Sequence, residues 1–142
     1  MAVSNPLPGR PLRCTLAPWL SVRGGAGAVE FYKSAFGAVE VHRVEDPDGN
    51  VVARLEVNGA EFWLSDESPA HGSPSPAASH APGGDVAVRM ILTVADPDAV
   101  FARALKAGAV EVHPVSEGHG WRVGRIVDPF GHHWEIGRPV GE

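Results

Sequence analysis

The chain has 142 residues, with 12 Lys plus Arg against 17 Asp plus Glu, and a formal charge of −5. This length suffices for one domain with a substantial core and is too short for two ordinary domains. The acidic balance argues against a nucleic-acid partner, and no apolar run approaches the roughly 18 residues that a membrane span needs. Cys14 is the single cysteine, which excludes a disulfide framework and favours a cytoplasmic protein.

The first half of the chain predicts one strand, one helix and three further strands. Residues 1–14 are expected to be a disordered N-terminal segment, and residues 15–22 predict the first strand. Residues 26–36 predict a helix, because apolar side chains recur there at three- and four-residue steps. Gly37 follows this helix, where a left-handed cap is common. Strands are predicted at residues 39–45, 51–57 and 60–65, with a tight hairpin at residues 58–59.

The second half repeats this plan after a linker. Residues 66–85 are rich in Ser, Pro, Ala and Gly and show no apolar period, so they predict a connector, which at a pocket mouth would act as a lid. A strand is predicted at residues 86–94. A helix then begins with Asp96 as its N-cap and Pro97 at its first position. The last strands are predicted at residues 110–115, 123–127 and 132–137.

An internal repeat supports the division into two similar units. The segment GAVEVH occurs at residues 37–42 and again at residues 108–113, an offset of 71. Residues 20–22 (LSV) are matched by residues 92–94 (LTV) at an offset of 72. Because the matching segments follow each other in the same order at nearly constant spacing, they indicate a duplicated unit of about 50 residues. The sequence therefore predicts an α+β fold of two βαβββ modules, residues 15–65 and 86–139.

Alternation within the strands assigns side chains to two sheet faces. One face is apolar and is predicted to form the core under the helices: Leu20, Val22, Phe62, Leu64, Met90, Leu92, Val94, Trp134 and Ile136. The opposite face mixes aromatic, polar and charged groups, which suits a small-molecule pocket. The predicted ligand-binding residues are Trp19, Ser21, Glu61, Trp63, Arg89, Ile91, Trp121, His133 and Glu135. A dimer interface and a half-solvated sheet face are the alternative interpretations.

The order strand, helix and three strands, used twice, resembles the vicinal oxygen chelate superfamily. That superfamily includes glyoxalase I, extradiol dioxygenases and bleomycin-resistance proteins. Residues 28–38 (AVEFYKSAFGA) and 121–136 (WRVGRIVDPFGHHWEI) are similar to stretches of its PhnB-like branch. The resemblance covers residues 15–139 and implies one domain, in which curved mixed sheets surround a cupped pocket, and a homodimer.

The resemblance also bears on a metal site. Metal-using members take ligands from the first and last strands of each half, and the matching positions here are Ala17, Trp63, Arg89 and Glu135. Only Glu135 carries a metal-ligating group, whereas a catalytic zinc-type site has three protein ligands. No cofactor is therefore predicted. The alternative is a divalent metal ion on Glu135 and His133, with Glu61 as a further candidate.

These features predict a small-molecule-binding protein, for drug sequestration or sensing, with no catalytic residues. Arg89 and Glu135 are expected to pair, and Trp19, Trp63 and Trp121 to supply flat walls. His42 and His113, at equivalent points of the repeat, are expected to be ordinary strand histidines. One alternative is a metal-dependent lyase, isomerase or dioxygenase with relocated ligands. Another is a fold relative whose partner is a protein, since fold does not fix function.

Overall fold

The computed structural model describes residues 12–68, 70 and 86–141. The first module consists of β1 (Trp19–Val22), α1 (Gly25–Phe36), β2 (Val39–Glu45), β3 (Val51–Val57) and β4 (Ala60–Asp66). The second module consists of β5 (Met90–Thr93), α2 (Pro97–Ala107), β6 (Val110–Gly118), β7 (Trp121–Val127) and β8 (His133–Pro139). The predicted α+β fold of two repeated modules is confirmed.

Each module builds one mixed four-stranded sheet. The strand order is β1-β4-β3-β2 in module one and β5-β8-β7-β6 in module two. The first strand of each module runs parallel to the last one, and the other neighbours are antiparallel. The two modules also share the same strand register. Trp19 pairs with Trp63 in module one, and the residues 72 positions later, Ile91 and Glu135, pair with each other in module two. The repeat in the sequence is therefore a repeat of sheet topology.

The first strand of each module is shorter than predicted. Residues 15–22 were expected to form one strand and residues 86–94 another, but the strands begin only at Trp19 and Met90. Pro18 directly precedes β1 and has no amide hydrogen to donate, although its carbonyl oxygen accepts the Trp63 N–H at 2.9 Å. A proline at this point ends the regular ladder, which the alternation of side chains alone does not reveal.

Asp66 belongs to β4 and not to the predicted linker. Its carboxylate accepts backbone N–H groups from Gly25 at 2.8 Å and from Val51 at 2.6 Å. It thereby fastens the start of α1 and the start of β3 to the end of β4. Most of the predicted linker, and residues 1–11 of the predicted N-terminal segment, lie outside the described residues.

The helix caps are those that the sequence predicts. Gly37 caps α1 in the left-handed conformation, with a φ of 70°, and its N–H donates to the Lys33 carbonyl. At the start of α2, Asp96 accepts the Ala99 N–H at 3.1 Å, and proline occupies the first turn.

In the part of the chain that the structure describes, no helix is long and apolar enough to cross a membrane.

One hydrophobic core joins the two modules. The predicted core face is buried, with Val94 partly buried at its margin. The rings of Tyr32 and Phe62 in module one lie 5.6 Å and 5.4 Å from the Trp134 ring in module two. The two helices also contact each other, since Arg103 of α2 donates to the Ser34 carbonyl of α1 at 2.6 Å.

A buried carboxylate lies at the junction between the modules. Asp128 is 4% exposed and accepts the Tyr32 hydroxyl at 2.5 Å and the Trp134 Nε1–H at 2.9 Å. It also accepts the backbone N–H groups of Phe130 at 2.9 Å and His132 at 3.0 Å. Because Tyr32 belongs to module one and the other donors to module two, this one side chain fixes the modules relative to each other.

The Tyr32 phenol makes this junction testable by pH. Burial, and then the nearby Asp128 carboxylate, raise the pKa of Tyr32 well above the ordinary value of 10.0. Since the folded-state pKa is the higher one, the protonated phenol contributes stability that is fully present below pH 10.0 and is lost as the pH rises further. Tyr32 is the only tyrosine, so phenolate absorbance reports on it alone.

We expect the phenolate signal to appear only together with the loss of far-ultraviolet circular dichroism in an alkaline titration. Tyr32→Phe should give no phenolate signal, and its unfolding free energy should depend less on pH in the alkaline range. A phenolate midpoint at pH 10.0 in protein that is still folded would contradict this account of the junction.

Candidate functional site

Each sheet has one face that packs on the core and one that points away from it, which we call the open face. On the open face of module one, a single row of paired residues crosses all four strands: Trp19, Trp63, Arg54 and His42. The row places two indoles next to a guanidinium and an imidazole. Such a combination of flat apolar surface and a few polar groups is typical of sites for small organic molecules.

The two indoles in this row are stacked. The ring centroids of Trp19 and Trp63 are 5.4 Å apart, and the planes differ by 7°. The Trp19 Nε1–H donates to the Ser65 hydroxyl at 2.9 Å, which fixes the orientation of the ring. Trp19 is nevertheless 52% exposed. Because one of its faces lies against Trp63, the exposed surface lies on the other face and along the ring edge.

The second face of Trp63 is covered by a cation. The Arg54 guanidinium carbon lies 5.6 Å from the Trp63 ring centroid. Since β4 lies between β1 and β3, Trp19 and Arg54 approach Trp63 from opposite sides. Both faces of the Trp63 ring are therefore covered, whereas one face of the Trp19 ring is accessible from the solvent.

The corresponding row of module two carries different chemistry. It consists of Ile91, Glu135, Arg125 and His113. Arg89 donates its Nε–H to the Glu135 carboxylate, which is the expected ion pair. Arg125 donates its Nε–H to His133 Nδ1 at 3.1 Å. Ion pairing and hydrogen bonding thus replace the indole stack of module one.

The adjacent histidines of β8 and its preceding turn differ in their surroundings. His133 is only 1% exposed beneath Arg125, so the geometry does not favour the direct ligand contact that the sequence predicted for it. His132 Nε2 lies 2.8 Å from the Ser21 carbonyl oxygen of module one, to which it donates in the matching tautomer. The two neighbouring histidines thus point in different directions, as adjacent residues along an extended chain do.

Two cavities lie beside these rows. The larger, about 470 Å³, lies between the modules, and we call it the seam cavity. Among the predicted site residues it is lined by Glu61, Arg89 and Ile91. The smaller, about 330 Å³, lies on the open face of module two, where Ile91, Trp121 and Glu135 line it.

The predicted residues lie on the open face of module one, around the two cavities and, for His133, in contact with Arg125. Trp19, Ser21 and Trp63 lie on the open face of module one, apart from the lining of both cavities. Arg54 and Arg125 lie on the open faces but are absent from the predicted site, whose residues, Trp121 apart, come from the first and last strands of each module. Their spacing of 71 residues, equal to that of the GAVEVH repeat, was the available signal.

The residues at the four family metal positions do not fit a divalent ion. Ala17 and Trp63 offer no ligand atom, and the Arg89 guanidinium already neutralises the Glu135 carboxylate. Within residues 12–68, 70 and 86–141, no group of three or more His, Cys, Asp or Glu side chains is arranged to hold a metal ion. We derive no chemical step through a metal from this donor set.

Comparison with known proteins decides the family. Residues 15–136 match the family model described as the Glyoxalase/Bleomycin resistance protein/Dioxygenase superfamily. The chain belongs to this superfamily. The resemblance drawn from the sequence is therefore confirmed at the level of the superfamily.

Proteins from distant organisms resemble this chain. The uncharacterized protein Rv0887c of Mycobacterium tuberculosis is 44% identical over 130 residues, which cover 89% of this chain and 75% of that protein. The X-ray structure of At5g48480 from Arabidopsis thaliana has a TM-score of 0.66 and 28% identity, covering 88% of this chain and 98% of that one. TioX from Micromonospora sp. ML1 has a TM-score of 0.66 and 25% identity, covering 89% and 100%.

The indole stack has a spectroscopic consequence. Stacked indoles couple their excited states, so Trp19 and Trp63 should give a paired positive and negative band in ultraviolet circular dichroism. We expect Trp19→Leu to remove this band pair, because it leaves Trp63 without a parallel ring. Trp121→Leu serves as the control, because among the described residues no aromatic ring packs against the Trp121 indole. If Trp19→Leu leaves the spectrum intact, the stack does not exist in solution.

Proposed function

We propose that the protein binds a planar organic molecule without using a metal ion, and that it acts by sequestering or sensing that molecule. The observation that carries the proposal is the Trp19 indole, which is exposed on one face yet held rigidly on the other. A ring that is already fixed loses little conformational entropy when a ligand stacks on it. The Ser65 hydrogen bond and the Trp63 stack supply this rigidity.

The geometry supports one particular binding position. Trp63 has Trp19 on one side and Arg54 on the other, so a ligand extends the stack beyond Trp19. An aromatic pair contributes about 0.5–1.5 kcal/mol beyond the burial of apolar area. Covering the exposed half of Trp19 adds the hydrophobic contribution, which scales with the apolar surface removed from water.

The ion pair of module two supports binding without a metal. To ligate a divalent cation, Glu135 would have to give up Arg89, and the guanidinium would then face the metal at close range. Both changes are unfavourable, since opposite charges are separated and like charges are brought together. A fixed guanidinium thus takes the place that a metal cation holds in metal-using relatives.

We further propose a cytoplasmic homodimer of the PhnB-like branch. The two stretches at residues 28–38 and 121–136 support the branch, and the lone thiol of Cys14 suits a reducing compartment. Exposed apolar side chains support the dimer, because a second copy would cover them. They lie on the outermost strands of both sheets and include Val39, at 62% exposed, and Val110, at 49% exposed.

Calorimetric titration with a panel of planar aromatic drugs tests the binding proposal. We expect Trp19→Ala to weaken binding at least tenfold, about 1.4 kcal/mol. Trp19→Phe, which keeps a flat ring, should retain most of the affinity. No binding by any member of the panel, or equal binding by Trp19→Ala, would sink the proposal.

A metal-dependent lyase, isomerase or dioxygenase is the competing function. Elemental analysis of protein purified without a histidine tag distinguishes the two. We expect substoichiometric Mn, Fe, Co, Ni and Zn, and no rise in the thermal unfolding midpoint when these ions are added. One tightly held ion per chain, lost in Glu135→Gln but retained in the surface control Glu30→Gln, would establish the metal-dependent alternative instead.

A further inference from the structure

The seam cavity is built mainly from core-type side chains. Val57 and Phe62 of module one face Met90, Leu92 and Trp134 of module two across it. Its volume, about 470 Å³, lies within the range of sites that enclose a small organic molecule. The cavity is open to solvent between the modules, so a ligand can enter it without unfolding either sheet.

The rim of the seam cavity is apolar and exposed. Leu16 is 100% exposed, Val88 is 70% exposed and Ile91 is 65% exposed. These three side chains line the same cavity and come from both modules. Together they extend its apolar wall outwards, and a molecule that reaches from the cavity to the rim removes this surface from water.

The carboxylate that lines the cavity has another carboxylate as its cross-strand neighbour. Glu61 lines the cavity, and Glu56 lies directly opposite Glu61 on the same face of the β3–β4 pair. Like charges in such cross-strand positions destabilise a sheet. Among the described residues, the cation paired with Glu61 is Arg54, whose Nη1 lies 4.0 Å from the carboxylate, a distance at the limit of an ion pair.

The guanidinium at the cavity does not neutralise Glu61. Arg89 lines the cavity, but it is bound to the carboxylate of Glu135, which lies outside the lining. Glu61 is therefore the weakly paired charge of this lining, with a guanidinium only at the 4.0 Å limit and a second carboxylate opposite it.

We infer that the seam cavity binds an organic cation, with its apolar body between the modules and its ammonium group on Glu61. The apolar walls select a hydrophobic body, and the weakly paired Glu61 carboxylate selects a positive charge. The net charge of −5 draws cations towards the protein. This site uses residues other than Trp19, so it goes beyond the proposed function and stands independently of it.

Calorimetry with a matched pair of probes tests the charge requirement. Adamantylmethylammonium carries the cation, and adamantylmethanol is its neutral isostere; the cage-shaped body of both probes is apolar but has no flat face to stack on Trp19. We expect the full-length wild type to bind the ammonium at least tenfold more tightly at low ionic strength. Glu61→Gln should bring the two affinities to the same level, whereas Glu30→Gln, an equal charge change on the exposed surface of α1, should preserve the difference. Equal affinities in the wild type, or a preserved difference in Glu61→Gln, would overturn the inference.

A second variant tests the location. Ala60 lines the cavity and is exposed, so Ala60→Phe fills the cavity without changing the core. We expect it to abolish the binding of both probes, with an unchanged thermal unfolding midpoint. Trp19→Ala should leave both affinities as they are, which separates this site from the stacked indoles. Undiminished binding by Ala60→Phe, or loss of binding in Trp19→Ala, contradicts the seam location.

Discussion

The buried carboxylate of Asp128 is the constraint on which the arrangement of the two modules depends. An ionised carboxylate in a core is costly unless donors surround it, and Asp128 has four. One is the hydroxyl of Tyr32 in module one, and another is the indole of Trp134, which also forms a wall of the seam cavity. The network that satisfies the charge thus sets the spacing of the modules and, with it, the shape of the space between them.

The two modules share a frame but differ in the chemistry of their open faces. Their inner strands keep the same residue types at equivalent positions, since Arg54 and His42 in module one correspond to Arg125 and His113 in module two. The first and last strands of the two modules differ in their open-face residues. Trp63 stands where module two has Glu135, so one module presents a stacked indole pair and the other an ion pair. The repeated scaffold therefore carries two chemically different surfaces.

Most of the fold followed from local patterns, whereas the site did not. Alternation identified the core face and the open face correctly because a strand has a period of two, and the repeat revealed the modules. Alternation does not specify how two sheets face each other. That orientation comes from contacts such as Tyr32 to Asp128, 96 residues apart in the chain. The predicted site residues accordingly lie in a stacked row and beside two cavities. His133 lies on the predicted face, but it is buried and accepts a hydrogen bond from Arg125, a contact between strands that alternation does not reveal.

Arg54 connects the two proposed sites physically. Its guanidinium lies over Trp63 and is also the nearest cation to Glu61 at the mouth of the seam cavity. An ammonium group on Glu61 would compete with Arg54 for the carboxylate and favour the position in which the guanidinium lies on the indole. That position stiffens the stack that supports Trp19. Occupation of the seam cavity by a cation should therefore favour binding of a planar molecule at Trp19, and by thermodynamic linkage the reverse effect has the same size. Arg54 is thus the side chain through which the two proposed sites would influence each other.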